Sequence, residues 1–255
     1  MKRNEIYLGD CLELMPKHVE DKSVDLILAD LPYGTTQNKW DSVIDLDKLW
    51  EQYNRVIKPK GNIVLFGVGM FAFKLALSNE KKFRYEMIWK KSKCGSPFTA
   101  KYMPLKKHEM LLVFGEGANK YNPQKVDGKP YKRTSKKGTN NMGFGAKAEF
   151  EYGSIDGKRH PSTLLDFAQK WRRQDQVHPT QKPIELIEWC IESFTNEGDL
   201  ILDNTCGSGT TGRGAKNLNR DYIMMEQEEK YYEIARKSLL VYSSGRFLSC
   251  LPILY

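Results

Sequence analysis

Short apolar runs alternate along this chain with stretches whose apolar residues return every three or four positions. Glu5-Ile6-Tyr7-Leu8 reads as a short strand ended by Gly9-Asp10, and Leu12, Leu14, Met15 and Val19 mark a helical stretch after it. Val24 to Ala29 is almost continuously apolar, the pattern of a strand buried on both faces. Asp45 is placed to cap a helix carrying Leu46, Leu49, Trp50, Tyr53, Val56 and Ile57, which Pro59 and Gly61 would stop. Asn62–Phe66 is a further buried strand and Met70–Leu77 a helix. Phe83–Trp89 and Glu109–Phe114 are two strands with no convincing helix between them, so they are expected to pair antiparallel.

From about Gly115 to His160 the pattern fades. Gly, Lys, Asn and Tyr dominate, no period persists, and the stretch is too long for a plain loop in a compact domain. Order resumes at Pro183, a favoured first-turn residue, with Ile184, Leu186, Ile187, Cys190, Ile191 and Phe194 on one face. Leu200–Leu202 is a strand, Thr210–Leu218 a helix, Tyr222–Met225 a strand and Glu229–Val241 a helix. Strands alternating with helices predict an α/β sandwich on a mostly parallel sheet. The tail from Ser243 to Tyr255 is apolar and takes no assignment.

Charge changes the picture. The chain of 255 residues carries a net charge of +8, yet residues 91–176 hold 18 Lys and Arg against 8 Asp and Glu. The basic excess therefore lies in one internal segment, which suits a polyanion such as nucleic acid, the bland alternative being a solvated lysine-rich region. Five scattered cysteines, none in a C-x-x-C pair, and four separate histidines argue for a reducing compartment and against a disulfide framework or metal site. No apolar stretch approaches the roughly 18 residues of a membrane span. The amino terminus runs straight into the first strand with no room for a signal peptide, so the expected location is cytoplasmic.

Two strand ends carry candidate chemistry. Val24–Ala29 ends in Asp30-Leu31-Pro32-Tyr33. A carboxylate accepts from an amino group, a tyrosine ring stacks on a planar base, and Pro32 restricts Leu31 to extended geometry, fixing the direction of its carbonyl. These groups form a clamp for an exocyclic amine on a flat ring; an ordinary proline turn is the plain alternative. The second is the run Asp203-Asn204-Thr205-Cys206-Gly207-Ser208-Gly209-Thr210-Thr211-Gly212, a strand end, glycine-rich turn and helix start, with Glu226 closing the next strand. Gly207, Gly209 and Gly212 match G-x-G-x-x-G, so a dinucleotide site is one reading. S-adenosylmethionine is the other and is favoured, because Asp203 suits an ammonium group and would repel a pyrophosphate. Ligands of such sheets sit outside the carboxyl ends of the strands, so both motifs should face one cleft.

With these motifs the chain resembles the amino-group DNA methyltransferases of the β arrangement, in which the catalytic motif precedes the cofactor motif. Asp30-Leu31-Pro32-Tyr33 is similar to their D-P-P-Y, Asp203 through Thr211 to D-P-F-x-G-S-G-T-T, and His178-Pro179-Thr180-Gln181-Lys182-Pro183 to H-P-T-Q-K-P. Gly9-Asp10 corresponds to an acid that contacts the cofactor adenine, and Tyr222–Glu226 to the ribose-binding strand end. Leu31 replaces the first proline, where the backbone carbonyl does the work. Asn204-Thr205 replaces Pro-Phe, removing an aromatic neighbour of the cofactor.

The resemblance implies a Rossmann-like three-layer sandwich with a seven-stranded, mostly parallel sheet, one antiparallel strand and a circularly permuted motif order. It implies a catalytic domain over 1–114 and 177–242, a basic target-recognition insertion over 115–176 and a tail over 243–255. The implied activity is methyl transfer from S-adenosylmethionine to the N6 amine of an adenine flipped out of double-stranded DNA, as in restriction–modification. N6 is preferred to cytosine N4 because Asp heads the tetrapeptide. A non-catalytic basic nucleic-acid-binding module is the remaining alternative. Asp30, Leu31, Pro32 and Tyr33 would be catalytic. Asp10, Lys182, Asp203, Cys206, Gly207, Ser208, Gly209, Thr210 and Glu226 would hold the cofactor. Lys39, Arg133, Lys136, Lys137, Arg172 and Arg173 would meet DNA, with Trp40 either a partner of the displaced base or core. Dimers are frequent in similar proteins.

Overall fold

The computed structural model describes residues 1–34, 44–95, 97–135, 150–168 and 181–241. The chain divides into two compact units, Met1–Asn122 with Thr163–Tyr255, and Pro123–Ser162.

The larger unit is built on one eight-stranded sheet. In chain order its elements are β1 (Glu5–Leu8), α1 (Cys11–His18), β2 (Val24–Ala29), α2 (Leu46–Val56), β3 (Ile57–Gly67), α3 (Met70–Ser78), β4 (Phe83–Lys90) and β5 (His108–Phe114). The smaller unit supplies β6 (Tyr131–Ser135) and β7 (Phe150–Ser154). The larger unit resumes with β8 (Leu164–Asp166), α4 (Ile184–Phe194), β9 (Leu200–Asp203), α5 (Thr210–Asn217), β10 (Asp221–Glu226) and α6 (Glu229–Val241). The strand order is β1-β10-β9-β2-β3-β5-β4-β8. All neighbours are parallel except around β5, which runs against both β3 and β4.

Successive strand residues point to opposite faces, and that period sorts the core into two layers. Ile27 and Ala29 of β2 join Ile63 and Leu65 of β3 beneath α1, α2 and α3. Leu26 and Leu28 join Val64 and Phe66 beneath α4, α5 and α6. Every residue of β2 is buried, Asp25 included, in keeping with its nearly continuous apolar pattern. Asp45 caps α2, its carboxylate accepting from the backbone N–H groups of Asp47 and Lys48.

Three expectations change. The sheet has eight strands, not seven, because Leu164–Asp166 pairs parallel to β4 at the edge. Three residues are too few to announce a strand by periodicity. Ile57 opens β3 instead of closing α2, so that strand starts well before Asn62. A register shift between Val24 and Leu26 takes up the stretch containing Pro59 and Gly61.

Within the smaller unit, part of the stretch without periodicity forms the antiparallel hairpin β6–β7, with Arg133 opposite Tyr152. Val126 and Arg159 exchange two backbone hydrogen bonds, and the Arg159 guanidinium lies 4.1 Å over the Tyr131 ring. Among the described residues no helix is long and apolar enough to cross a membrane, and no cluster of His, Cys, Asp and Glu could hold a metal ion.

Candidate active site

From β9 the chain crosses through α5 to β10, and from β2 through α2 to β3, on the other side of the sheet. The boundary between β9 and β2 is therefore the switch point where an open α/β sheet has its crevice. Asp30 follows the last residue of β2, and Asp203 ends β9 beside it, since Ile27 pairs with Leu202. Thr205 ties the two tips together, its hydroxyl donating to the Asp30 backbone carbonyl at 3.1 Å.

Both oxygens of the Asp30 carboxylate have partners. The Tyr33 hydroxyl donates to Oδ1 at 2.6 Å, and the Lys182 ammonium to Oδ2 at 2.6 Å. The Tyr33 ring lies against Phe71, with centroids 5.0 Å apart. Leu31 is buried. Lys182 precedes the Pro183 that caps α4, and it is buried too. Its Nζ also lies 3.1 Å from Oε2 of Glu109 and 4.9 Å over the Phe66 ring. Glu109 in turn binds Lys91 at 2.6 Å through Oε1. Burial alone would lower the Lys182 pKa, but Asp30 and Glu109 outweigh it and raise it. Burial likewise opposes ionisation of Glu109, yet Lys182 and Lys91 hold its pKa below the usual carboxylate range.

The glycine turn makes the other wall. Gly209, with φ +78°, precedes α5, and a Cβ there would stand 2.9 Å from that of Ala235 on α6. A Cβ on Gly212 would stand 2.5 Å from the Met224 methyl, so that glycine serves helix-on-strand packing. The Cys206 N–H donates to the Met225 carbonyl at 2.9 Å, and burial raises its thiol pKa well above normal. Ser208 and Thr210 are buried, their hydroxyls 3.4 Å apart. Glu226 accepts from the backbone N–H of Gly207 at 2.8 Å and of Glu228 at 2.9 Å. Its backbone carbonyl accepts from Gly9, which brings Asp10 to the same edge. One Asp10 oxygen caps α1 through the Leu12 N–H at 2.8 Å.

Asp203 is the electrostatic oddity. Burial pushes its pKa to about 7; bonds from Thr211 and the Thr205 N–H pull it down, and the charges of Asp30 and Glu226 push it back up. Burial also raises Glu226. This edge of the sheet thus gathers carboxylates beyond the cations that reach them, a donor set made for a cationic ligand and hostile to a pyrophosphate.

Sequence reasoning missed several of these groups. Glu109 lies at the start of β5, and because β5 is antiparallel its beginning falls at the carboxyl edge of the parallel strands. The signal was a lone acid heading an apolar run in the second strand of a predicted antiparallel pair. Asn204, which stands where a proline was expected, accepts from the Tyr53 hydroxyl at 2.6 Å and donates to Cys11 Sγ at 3.4 Å. The substituted turn is therefore anchored by buried polar contacts to α2 and α1. Arg133 lies exposed on β6 in the smaller unit. Lys39, Trp40, Lys136, Lys137, Arg172, Arg173 and His178–Thr180 lie outside the described residues.

Residues 24–237 match the family described as DNA methylase, of the N6/N4 methyltransferase type. The type II methyltransferase M2.DpnII of Streptococcus pneumoniae is 27% identical, over 94% of this chain and 97% of its own. The type II methyltransferase M2.LlaDCHI of Lactococcus lactis subsp. cremoris is 28% identical, over 93% and 90%. Among solved structures, the M1.HpyAVI–SAM complex shares the fold with a TM-score of 0.62 at 24% identity, covering 92% of this chain and 98% of that one. The cytosine-N4-specific PvuII DNA methyltransferase does so with a TM-score of 0.65 at 20% identity, covering 92% and 86%.

Proposed function

The chain belongs to the N6/N4 DNA methylase family, and we propose that it transfers a methyl group from S-adenosylmethionine to the N6 amine of adenine in DNA, using Asp30 as the acceptor that grips the amine. The observation that carries this reading is the tie between strand tips: Thr205 holds the Asp30 carbonyl, so the amine clamp and the acid-rich glycine turn share one edge.

The donor set fits the cofactor. S-adenosylmethionine carries an ammonium and a sulfonium, and it would supply an electrophilic methyl group. Asp203 and the turn from Cys206 to Thr210 would hold its amino-acid end, Glu226 its ribose and Asp10 its adenine. Lys182 takes a different role in this reading from the one its motif suggested, because its ammonium is spent on Asp30 and Glu109.

Adenine N6 is a weak nucleophile because its lone pair is delocalised into the ring. Accepting hydrogen bonds at the Asp30 carboxylate and the Leu31 carbonyl would localise that pair as the new bond forms. Positive charge then grows on nitrogen, and a preplaced carboxylate stabilises it; groups of this kind contribute about 3–4 kcal/mol. A base inside a duplex cannot reach the edge of this sheet, so it must be extruded. Each Asp30 oxygen already accepts one hydrogen bond, from Tyr33 or from Lys182, and keeps a second lone pair to offer the amine. By resemblance to the family's tetrapeptides, Asp rather than Ser at position 30 favours N6 over cytosine N4.

The smaller unit, with nine Lys and Arg against four Asp and Glu in 123–162, is proposed as the part that meets DNA. A dimer is proposed for assembly from the family, and a cytoplasmic location from the DNA substrate. The direct test is incubation with tritiated S-adenosylmethionine and unmethylated duplex DNA. Label in DNA supports the reading; binding of DNA without transfer, and no heat on titration with S-adenosylmethionine, would make the chain a nucleic-acid-binding module.

A further inference from the structure

We propose that Glu109 is a positioning residue for methyl transfer, acting through Lys182 so that Asp30 keeps negative charge to offer the substrate amine. The inference deepens the functional reading and rests on it.

Four charged groups of alternating sign link one side of the site to the other. Lys91 follows β4, Glu109 sits at the start of β5, Lys182 precedes α4 and Asp30 follows β2. The separations are 2.6 Å from Lys91 to Glu109, 3.1 Å from Glu109 to Lys182 and 2.6 Å from Lys182 to Asp30. The Glu109 and Lys182 side chains are buried, at 11% and 8% exposure, whereas the two ends of the row, Lys91 and Asp30, are 25% and 26% exposed, Asp30 being the end at the clamp.

An ammonium paired with Asp30 alone would neutralise the carboxylate in a poorly screened setting, and a developing positive charge on the substrate would find little to attract it. Glu109 divides the ammonium's attention: Lys182 donates a hydrogen bond to Asp30 and forms an ion pair with Glu109 Oε2 at 3.1 Å. Lys91 performs the matching service for Glu109, whose burial would otherwise favour a proton. The quartet as a whole is neutral, which makes its burial tolerable, yet the end at the clamp remains an anion, with the Lys91 cation at the other end. A role confined to fastening β5 to the start of α4 would need the pair but not its charge balance.

The test compares the parent, E109Q, E109D and the double variant E109Q/K182M. The readouts are single-turnover methyl transfer, cofactor affinity by calorimetry, thermal unfolding, and 2-aminopurine fluorescence at the target base, which reports extrusion without chemistry. E109Q is expected to slow transfer roughly 10- to 100-fold, by analogy with the loss of an outer partner that orients a metal ligand. Cofactor affinity should stay within about twofold and the fluorescence rise should persist, a pattern in kcat rather than binding. E109D should recover part of the rate. The double variant, in which neither the extra cation nor its partner remains, should react several-fold faster than E109Q. A purely structural pair predicts the opposite, a double variant no faster than E109Q. Parent-like turnover in E109Q, loss of cofactor binding or base extrusion in it, or a double variant no faster than E109Q overturns the inference. A parent that transfers no methyl group to DNA sinks the functional reading as well; an active parent with any of the other failures sinks this inference alone.

Discussion

The Thr205 hydroxyl reaches from the tip of β9 to the Asp30 backbone carbonyl at the tip of β2, at 3.1 Å. Its position follows from the strand pairing, and the contact fixes the peptide that sets the Asp30 side chain. Removing it with Thr205→Val is expected to cost about 1 kcal/mol of stability, the net worth of an ordinary hydrogen bond. The turnover number should fall more than cofactor affinity does, and Thr205→Ser should restore it. Denaturant unfolding with steady-state kinetics measures both; a variant weakened only in cofactor binding would separate Thr205 from the clamp.

Asp203 ties the site to pH. Its pKa near 7 in the folded chain lies above the ordinary value of 3.8, so the folded state holds the proton more tightly than the unfolded one. Its contribution to stability is fully present below about pH 4 and is lost as pH rises through 7. Asp203→Asn should therefore stabilise the ligand-free protein at pH 8 by an amount on the order of a few kcal/mol, seen as a higher melting temperature. The same change should weaken binding of the cationic cofactor at least tenfold, and parent affinity should rise between pH 6 and 8. Calorimetry across that range checks the sign; affinity that falls toward pH 8 would contradict it.

Asn204 carries a structural prediction. Tyr53→Phe removes the hydroxyl that donates to its buried amide oxygen, leaving an unsatisfied acceptor at a cost of about 1–3 kcal/mol. Chemical denaturation should show that loss while methyl transfer per folded molecule stays near the parent value.

Gly209 is held by conformation and by neighbours. Gly209→Ala places a side chain at φ +78° and against Ala235, and strain of this kind costs on the order of 1–3 kcal/mol. The midpoint of unfolding should drop accordingly, and α6 should show faster hydrogen exchange than α4.

Much of this was legible in the sequence because single signals were strong. A near-continuous apolar run marked β2, an Asp before an amphipathic run marked the cap of α2, and the missing helix between β4 and β5 marked the antiparallel pair. What stayed hidden depends on long-range contacts. Leu164–Asp166 is a strand only because β4 offers it an edge. Lys182 sits 152 residues from Asp30 in the chain, and no local pattern says that the two touch. Glu109 became meaningful only once β5 was known to run against its neighbours, which turns the start of a strand toward the site.

Mapping the methylated base by mass spectrometry for the parent and for Asp30→Ala tests most directly the proposal that Asp30 grips the amine of an adenine. The parent should deposit methyl groups on adenine N6, and Asp30→Ala should deposit none while binding S-adenosylmethionine with unchanged affinity. Near-normal transfer by Asp30→Ala, or methyl groups found on cytosine in the parent's product, would contradict it.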